Sequence, residues 1–210
     1  MRGRTRAAEA PPWVPFEDRR RARDEKREAV LRMAVKMFLD EGYHRTTLNE
    51  VAARLNITKP ALYNYFGSKE DILIECYRLG QEMFETSFAE IESESGSGID
   101  KLRRLITAYA HVMMQDFGMC LVRLDDRELA AEARANVRAA KRNYDMAFRT
   151  YVARGISDGS IVPCDPKLAT LTITGALNWI GHWYRPDGAL PAATIADEFA
   201  VRLTQGLATR

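Results

Sequence analysis

Val30, Met33, Ala34, Met37 and Phe38 fall at i, i+3, i+4, i+7 and i+8. This is the apolar stripe of an amphipathic helix. The pattern begins near Arg23 and stops at Gly42, a residue type suited to the left-handed conformation just past a helix end. Thr47-Leu-Asn-Glu50 then has the spacing of a capping box, and Leu48, Val51, Ala52 and Leu55 give a short second helix one apolar face. Asn56-Ile57 fits a turn. Thr58 is a good N-cap, and Pro60 sits in the first turn of a third helix, where a missing N–H costs nothing. That helix is expected to run to about Phe66, before Gly67. Ser68 caps a fourth, with Glu70 and Asp71 favourable at its N-terminus, reaching about Glu92.

SESGSG (93–98) punctuates the chain. Helical periodicity returns over 99–115, 118–124, 126–156, 165–184 and 191–208. No alternating strand pattern and no internal repeat is present. The fold class is therefore all-α, with about nine helices.

The third helix has two unlike faces. Ile57, Leu62 and Phe66 supply an inward side, with Leu62 and Phe66 at i, i+4. Lys59, Pro60, Tyr63 and Asn64 fall on the other side. Three short helices with a tight turn between the last two fit a helix-turn-helix, whose third helix enters the DNA major groove.

Composition narrows the classes. The 210 residues, 46% hydrophobic and 29% charged, suit one or two globular domains. No stretch approaches the length needed to span a bilayer, and the N-terminus has no apolar core of a secretory signal. A cytoplasmic protein without membrane partner is expected. Cys76, Cys120 and Cys164, and His44, His111 and His182, match no metal or disulfide spacing. No cofactor, nucleophile–base pair or phosphate loop is legible, so no enzyme is expected. Residues 1–23 carry seven arginines against three acids, while the rest of the chain is slightly acidic. Residues 1–22, with three prolines, read as a disordered basic arm that is either simply solvated or a partner for phosphates.

The stretch TTLNEVAARLNITKPALYNYFGSKEDIL (46–73) resembles the DNA-binding signature of the TetR family of transcriptional repressors. The resemblance implies a helix-turn-helix domain over 23–84 and a ligand-binding and dimerisation domain over 85–210. It implies a homodimer on a double-stranded, pseudo-palindromic DNA operator, released by a small-molecule effector. Carried over by residue, Thr47 contacts a phosphate. Thr58, Lys59, Pro60 and Ala61 face base edges. Tyr63 and Tyr65 place hydroxyls on phosphates, Asn64 contacts a phosphate or a base, and Lys69 bonds a phosphate. Where many relatives have a glycine in the turn, this chain has Asn56, the non-glycine type that best tolerates that conformation.

In the C-terminal half, Leu168, Leu171, Thr172, Gly175, Ala176, Trp179 and Trp183 form one helical stripe. Ile195, Phe199, Leu203 and Leu207 form another. Together they predict half of a four-helix bundle completed by a second copy, the alternative being intrachain core. Tyr109, Met113, Phe117, Cys120, Tyr144, Phe148 and Trp179 are the candidate ligand-binding residues. ALNWIGHWYRPDGAL (176–190) resembles a segment of TetR-family regulators of fatty-acid and sterol catabolism, which implies an acyl-CoA thioester as effector. Arg123, Arg127, Arg134, Arg138 and Arg185 are then candidates to meet its phosphates, or else pair with Asp125, Asp126, Glu128 and Glu132. The rival reading is a helical small-molecule-binding protein or enzyme carrying a non-functional DNA motif.

Overall fold

The computed structural model describes residues 16–124, 127 and 129–209. Nine helices are present among them: α1 (Phe16–Glu41), α2 (Leu48–Arg54), α3 (Lys59–Tyr63), α4 (Lys69–Ser93), α5 (Gly98–Met113), α6 (Asp116–Arg123), α7 (Ala131–Ser157), α8 (Pro166–Trp183) and α9 (Ala192–Gln205). The only β pairing among the described residues is an isolated bridge, Ile161 to Ala208. It ties the end of the chain to the α7–α8 loop. No single helix is long and apolar enough to cross a membrane.

Local signals in the sequence fix several boundaries. Capping boxes close Thr47 on Glu50, Ser68 on Asp71 and Ser97 on Asp100 at the starts of α2, α4 and α5. Gly42 ends α1 at φ +96°, with its N–H on Phe38 O at 3.2 Å. Asn56 sits at φ +53°, the only described non-glycine residue at positive φ, so the α2–α3 turn keeps its geometry without a glycine.

Three boundaries differ from the expected ones. Helix α1 starts at Phe16, not near Arg23, so residues 16–22 of the expected disordered arm are helical; residues 1–15 lie outside the described residues. Glu17 and Asp18 in the first turn and an Arg21–Glu25 pair at 3.3 Å favour this solvated extension. Helix α3 ends at Tyr63, because the N–H groups of Tyr65 and Phe66 both bond Leu62 O, at 2.8 and 3.2 Å. This tight turn swings Phe66 into the core. Helix α7 starts at Ala131 rather than 126.

Two apolar cores follow. The N-terminal one gathers Val30, Ala34, Val35 and Phe38 of α1, Val51 and Ala52 of α2, Leu62, Phe66, and Ile72 and Cys76 of α4. The C-terminal one is built on Leu102, Leu105 and Ile106 of α5, Phe148 and Tyr151 of α7, and Ile173, Leu177 and Ile180 of α8. Helices α5 and α7 approach closely at Gly98 and Gly155, where a Cβ on Gly98 would lie 2.1 Å from the Gly155 nitrogen. Helix α6, bent 87° from α5, packs on α1, α4 and α8 and sends Cys120 into the N-terminal core.

The stripes of α8 and α9 meet where the Trp183 and Phe199 rings stack, with centroids 6.3 Å apart. Helix α9 lies along α5, burying Ile195, Ala196, Ala200 and Thr204, and Phe199, Leu203 and Leu207 pack partly buried on the same intrachain core. Helix α5 is amphipathic along its whole length, and α9 covers it. Helix α8 keeps an outward apolar face, with Leu168, Leu171, Trp179 and Trp183 between 41% and 63% exposed. Around Gly175 the space is open.

Candidate nucleic-acid interface and ligand cavity

Helix α3 is short, so its placement comes from its ends. The Thr58 Oγ1 accepts the Ala61 N–H at 3.4 Å, and Leu62, fully buried, anchors the inner side. Thr47, Thr58, Lys59, Pro60, Tyr63 and Asn64 are exposed, while Ala61, Tyr65 and Lys69 are half-buried. The split between faces expected from the sequence is the one observed, with Tyr65 packed at the edge of the N-terminal core.

Electrostatics on this face are set by three groups. The Glu50 carboxylate accepts from Thr47 N at 2.7 Å and Thr47 Oγ1 at 2.8 Å, which holds its pKa below the ordinary carboxylate value. Lys59 extends into solvent from the first residue of α3. Lys69 is engaged: its Nζ donates to Tyr43 O at 2.7 Å and sits 4.4 Å over the Tyr43 ring. An ammonium has three donors, so two remain for another acceptor while the first pins α4 to the α1–α2 loop. Arg45, exposed in that loop, is a further cation on this side, one that no motif spacing marks.

Behind this domain, a cavity of about 440 Å³ opens between α4, α5, α6, α7 and α8. Tyr109, Met113 and Tyr144, of the seven expected ligand residues, line it. The other four do not. Phe148 is fully buried behind Tyr109, with ring centroids 5.6 Å apart. Cys120 is turned toward Cys76 in the N-terminal core. Phe117 packs at the junction of both cores. Trp179 is 63% exposed and stacks on His182 at 4.7 Å, on the outer face of α8. Its stripe residues project from the same face, so helical periodicity already separated it from the inward positions Leu177 and Ile180.

Residues not anticipated from the sequence complete the wall: Tyr77, Gly80 and Phe84 of α4, Val112 of α5, Leu121 and Val122 of α6 with Leu124 just beyond it, Lys141 and Asp145 of α7, and Thr174, Asn178 and His182 of α8. A signal was present. Thr174, Asn178 and His182 recur every four residues, a polar line along an otherwise apolar helix. Inside, Tyr109 Oη donates to Asn178 Oδ1 at 2.9 Å. Burial raises the pKa of Tyr109 and pushes that of Tyr144 up to about 12, so both phenols are neutral. Asp145 is paired with Arg149 at 2.7 Å.

Of the arginines considered for phosphates, Arg123 is committed elsewhere. Its Nε donates to Gly181 O at 2.7 Å, closing the C-terminus of α8. The alternative pairing of these arginines with Asp125, Asp126 and Glu128 falls outside the described residues. Among the described residues no group of three metal-ligating side chains occurs.

The cavity and the N-terminal domain share elements. Leu121 and Leu124 line the cavity and also pack on the N-terminal core. Glu70, in the first turn of α4, accepts the Ala130 N–H at the start of α7 at 2.7 Å.

Known proteins share this organisation. Residues 30–76 match the family model for bacterial regulatory proteins, tetR family, and residues 95–207 match that for the tetracyclin repressor-like C-terminal domain. The chain is 24% identical to the HTH-type transcriptional repressor KstR2 of Mycolicibacterium smegmatis, over 87% of this chain and 90% of the relative. It is 23% identical to the fatty acid metabolism regulator protein of Bacillus subtilis, over 85% and 93%. Among solved structures, the TetR family transcriptional regulator PfmR from Thermus thermophilus aligns with a TM-score of 0.76 at 28% identity, covering 86% of this chain and 99% of that one. AibR in complex with isovaleryl coenzyme A and operator DNA aligns with a TM-score of 0.72 at 25% identity, covering 84% and 96%. With its helix-turn-helix and its C-terminal domain both matched, the chain belongs to the TetR family of DNA-binding transcriptional regulators.

Proposed function

We propose that the protein is a cytoplasmic homodimeric repressor that binds a pseudo-palindromic operator and is released by an acyl-CoA-type effector. The observation that carries the DNA half is the contiguous exposed set Thr58, Lys59, Pro60, Tyr63 and Asn64 on a helix whose opposite side is fully buried. Thr58 and Lys59 at the helix start reach base edges, and Lys59 is the side chain suited to guanine. Tyr63, Asn64, Tyr65, Thr47 and Lys69 supply hydroxyl, amide and ammonium donors to phosphates. Residues 23–84 form the DNA-binding domain and residues 85–210 the effector and dimer domain. The outward apolar face of α8 is the surface on which a second copy packs, setting two recognition helices roughly 34–36 Å apart, one helical turn of DNA.

Effector and operator oppose one another by linkage. The route runs through α6, whose residues form part of the cavity wall and of the packing under α1 and α4, and through the Glu70–Ala130 hydrogen bond. A ligand that widens the cavity shifts α6 and α7, which carries α4 and the domain it anchors away from the spacing that two successive major grooves require. The acyl-CoA reading is supported by the mostly apolar cavity and by relatives whose names refer to fatty acid metabolism and to isovaleryl coenzyme A.

The test is selection of genomic fragments on the purified protein, followed by titration at increasing salt with and without acyl-CoA. A selected palindrome, a steep fall of log K with log salt and release by a thioester are expected. Binding that ignores salt, or a protein that selects no sequence, sinks the repressor mechanism.

A further inference from the structure

The amide of Asn178 lines the cavity. Its Oδ1 accepts the Tyr109 hydroxyl at 2.9 Å. Tyr109 is itself fixed: 8% exposed, with the Phe148 ring edge-on at 5.6 Å and the Phe84 ring edge-on at 6.2 Å. With the oxygen taken, the side-chain N–H₂ remains, and no described residue accepts from it. The amide oxygen keeps a second lone pair, but the two N–H donors are the groups left without a protein acceptor. Phe84, Val112, Met113 and Val122 share the cavity wall and hold no acceptor, and Asp145, Thr174 and His182, which also line it, do not accept from Asn178. A donor that loses water without gaining a partner is costly, so the ligand that fits this wall is apolar and brings one acceptor oxygen to Asn178.

We propose that Asn178, oriented by Tyr109, donates a hydrogen bond to the acyl carbonyl oxygen of the effector. This rests on the thioester reading above and deepens it: the carbonyl, and not the length of the alkyl chain alone, is recognised. An acceptor oxygen is also present in a free carboxylate, and the test separates the two sources.

Isothermal titration of the full-length wild-type protein with butanoyl-, octanoyl-, dodecanoyl- and hexadecanoyl-CoA identifies the tightest chain length. That thioester is then compared with its S-alkyl-CoA thioether, which lacks only the carbonyl oxygen, and with the corresponding free fatty acid. The thioether is expected to bind about fivefold more weakly, the worth of one neutral hydrogen bond. Asn178→Leu is expected to bind thioester and thioether alike, and Tyr109→Phe to narrow the difference. The infrared stretch of a carbonyl-labelled thioester should fall on binding to the wild type and stay at its free value with Asn178→Leu. If that variant does not fold, the wild-type thioester–thioether comparison and the wild-type infrared shift still decide. Equal affinity for thioester and thioether overturns the carbonyl anchor and leaves the effector class standing. Tighter binding of the free acid overturns the thioester and assigns the oxygen to a carboxylate. Failure of every thioester to bind overturns the effector class and the anchor together.

Discussion

The guanidinium of Arg27 in α1 donates to the carboxylate of Glu75 in α4 at 2.6 Å. The same guanidinium lies 4.6 Å over the ring of Phe66, just beyond the recognition helix. Arg78 donates to Glu75 as well, at 2.7 and 3.1 Å. One carboxylate, with a side chain only 9% exposed, thus ties α4 to α1 beside Phe66 at the end of the helix-turn-helix. Two cations beside it hold its pKa down to about 2, against an ordinary 4.5.

From that depression follows a pH dependence. A carboxylate whose folded pKa is lowered stabilises the fold fully above about 4.5 and loses that contribution as pH falls toward about 2. Glu75→Gln should cost roughly 1–2 kcal/mol at neutral pH, reduced from a fully buried pair because both arginines reach water. Urea denaturation of the two proteins at pH 7 and pH 3 should show the gap closing in acid. A gap that is the same at both pH values would detach the stabilisation from the ion pairs.

Around the recognition helix, Lys59 should behave differently from Lys69 and Tyr63. Lys69→Ala should weaken binding to all sequences similarly and lower the salt slope by about 1, and it should also loosen the α1–α2 loop through Tyr43. Lys59→Ala should change sequence preference as well as affinity. Tyr63→Phe should weaken operator and non-specific DNA alike. Competition band shifts with operator and scrambled fragments read all three.

The α2–α3 turn gives a cleaner backbone test. Asn56 holds φ +53°, so Asn56→Ala should destabilise the N-terminal domain by about 1 kcal/mol, while Asn56→Gly should not. Thermal melts of the two variants measure the difference. Equal losses would mean that the side chain, and not the conformation, matters at this position.

The outward face of α8 should control assembly. Leu171→Glu places a charge in the middle of Leu168, Trp179 and Trp183, all exposed in the single chain. Sedimentation should show a monomer with an unchanged helical spectrum, and operator affinity should collapse. A variant that still sediments as a dimer would move the interface elsewhere.

The sequence by itself determined the all-α class, the caps of α2, α3 and α4, the stop at Gly42, the turn at Asn56 and the division of α3 into a buried Leu62 side and an exposed Lys59–Tyr63 side. These are local: spacing along one helix and hydrogen bonds between residues three or four apart fix them. The tertiary structure alone decided how the C-terminal helices share their apolar faces. Periodicity puts Trp179 on a different stripe of α8 from Leu177 and Ile180 without saying which stripe is covered, and packing on one side only leaves the Trp179 stripe outward. It gives α9 a stripe without saying that α5 covers it. It leaves Cys120 as a bare buried thiol, while the bend between α5 and α6 turns it away from the cavity and toward Cys76. And the Asn178 amide is oriented by Tyr109, sixty-nine residues earlier, a long-range contact that no one-dimensional pattern encodes.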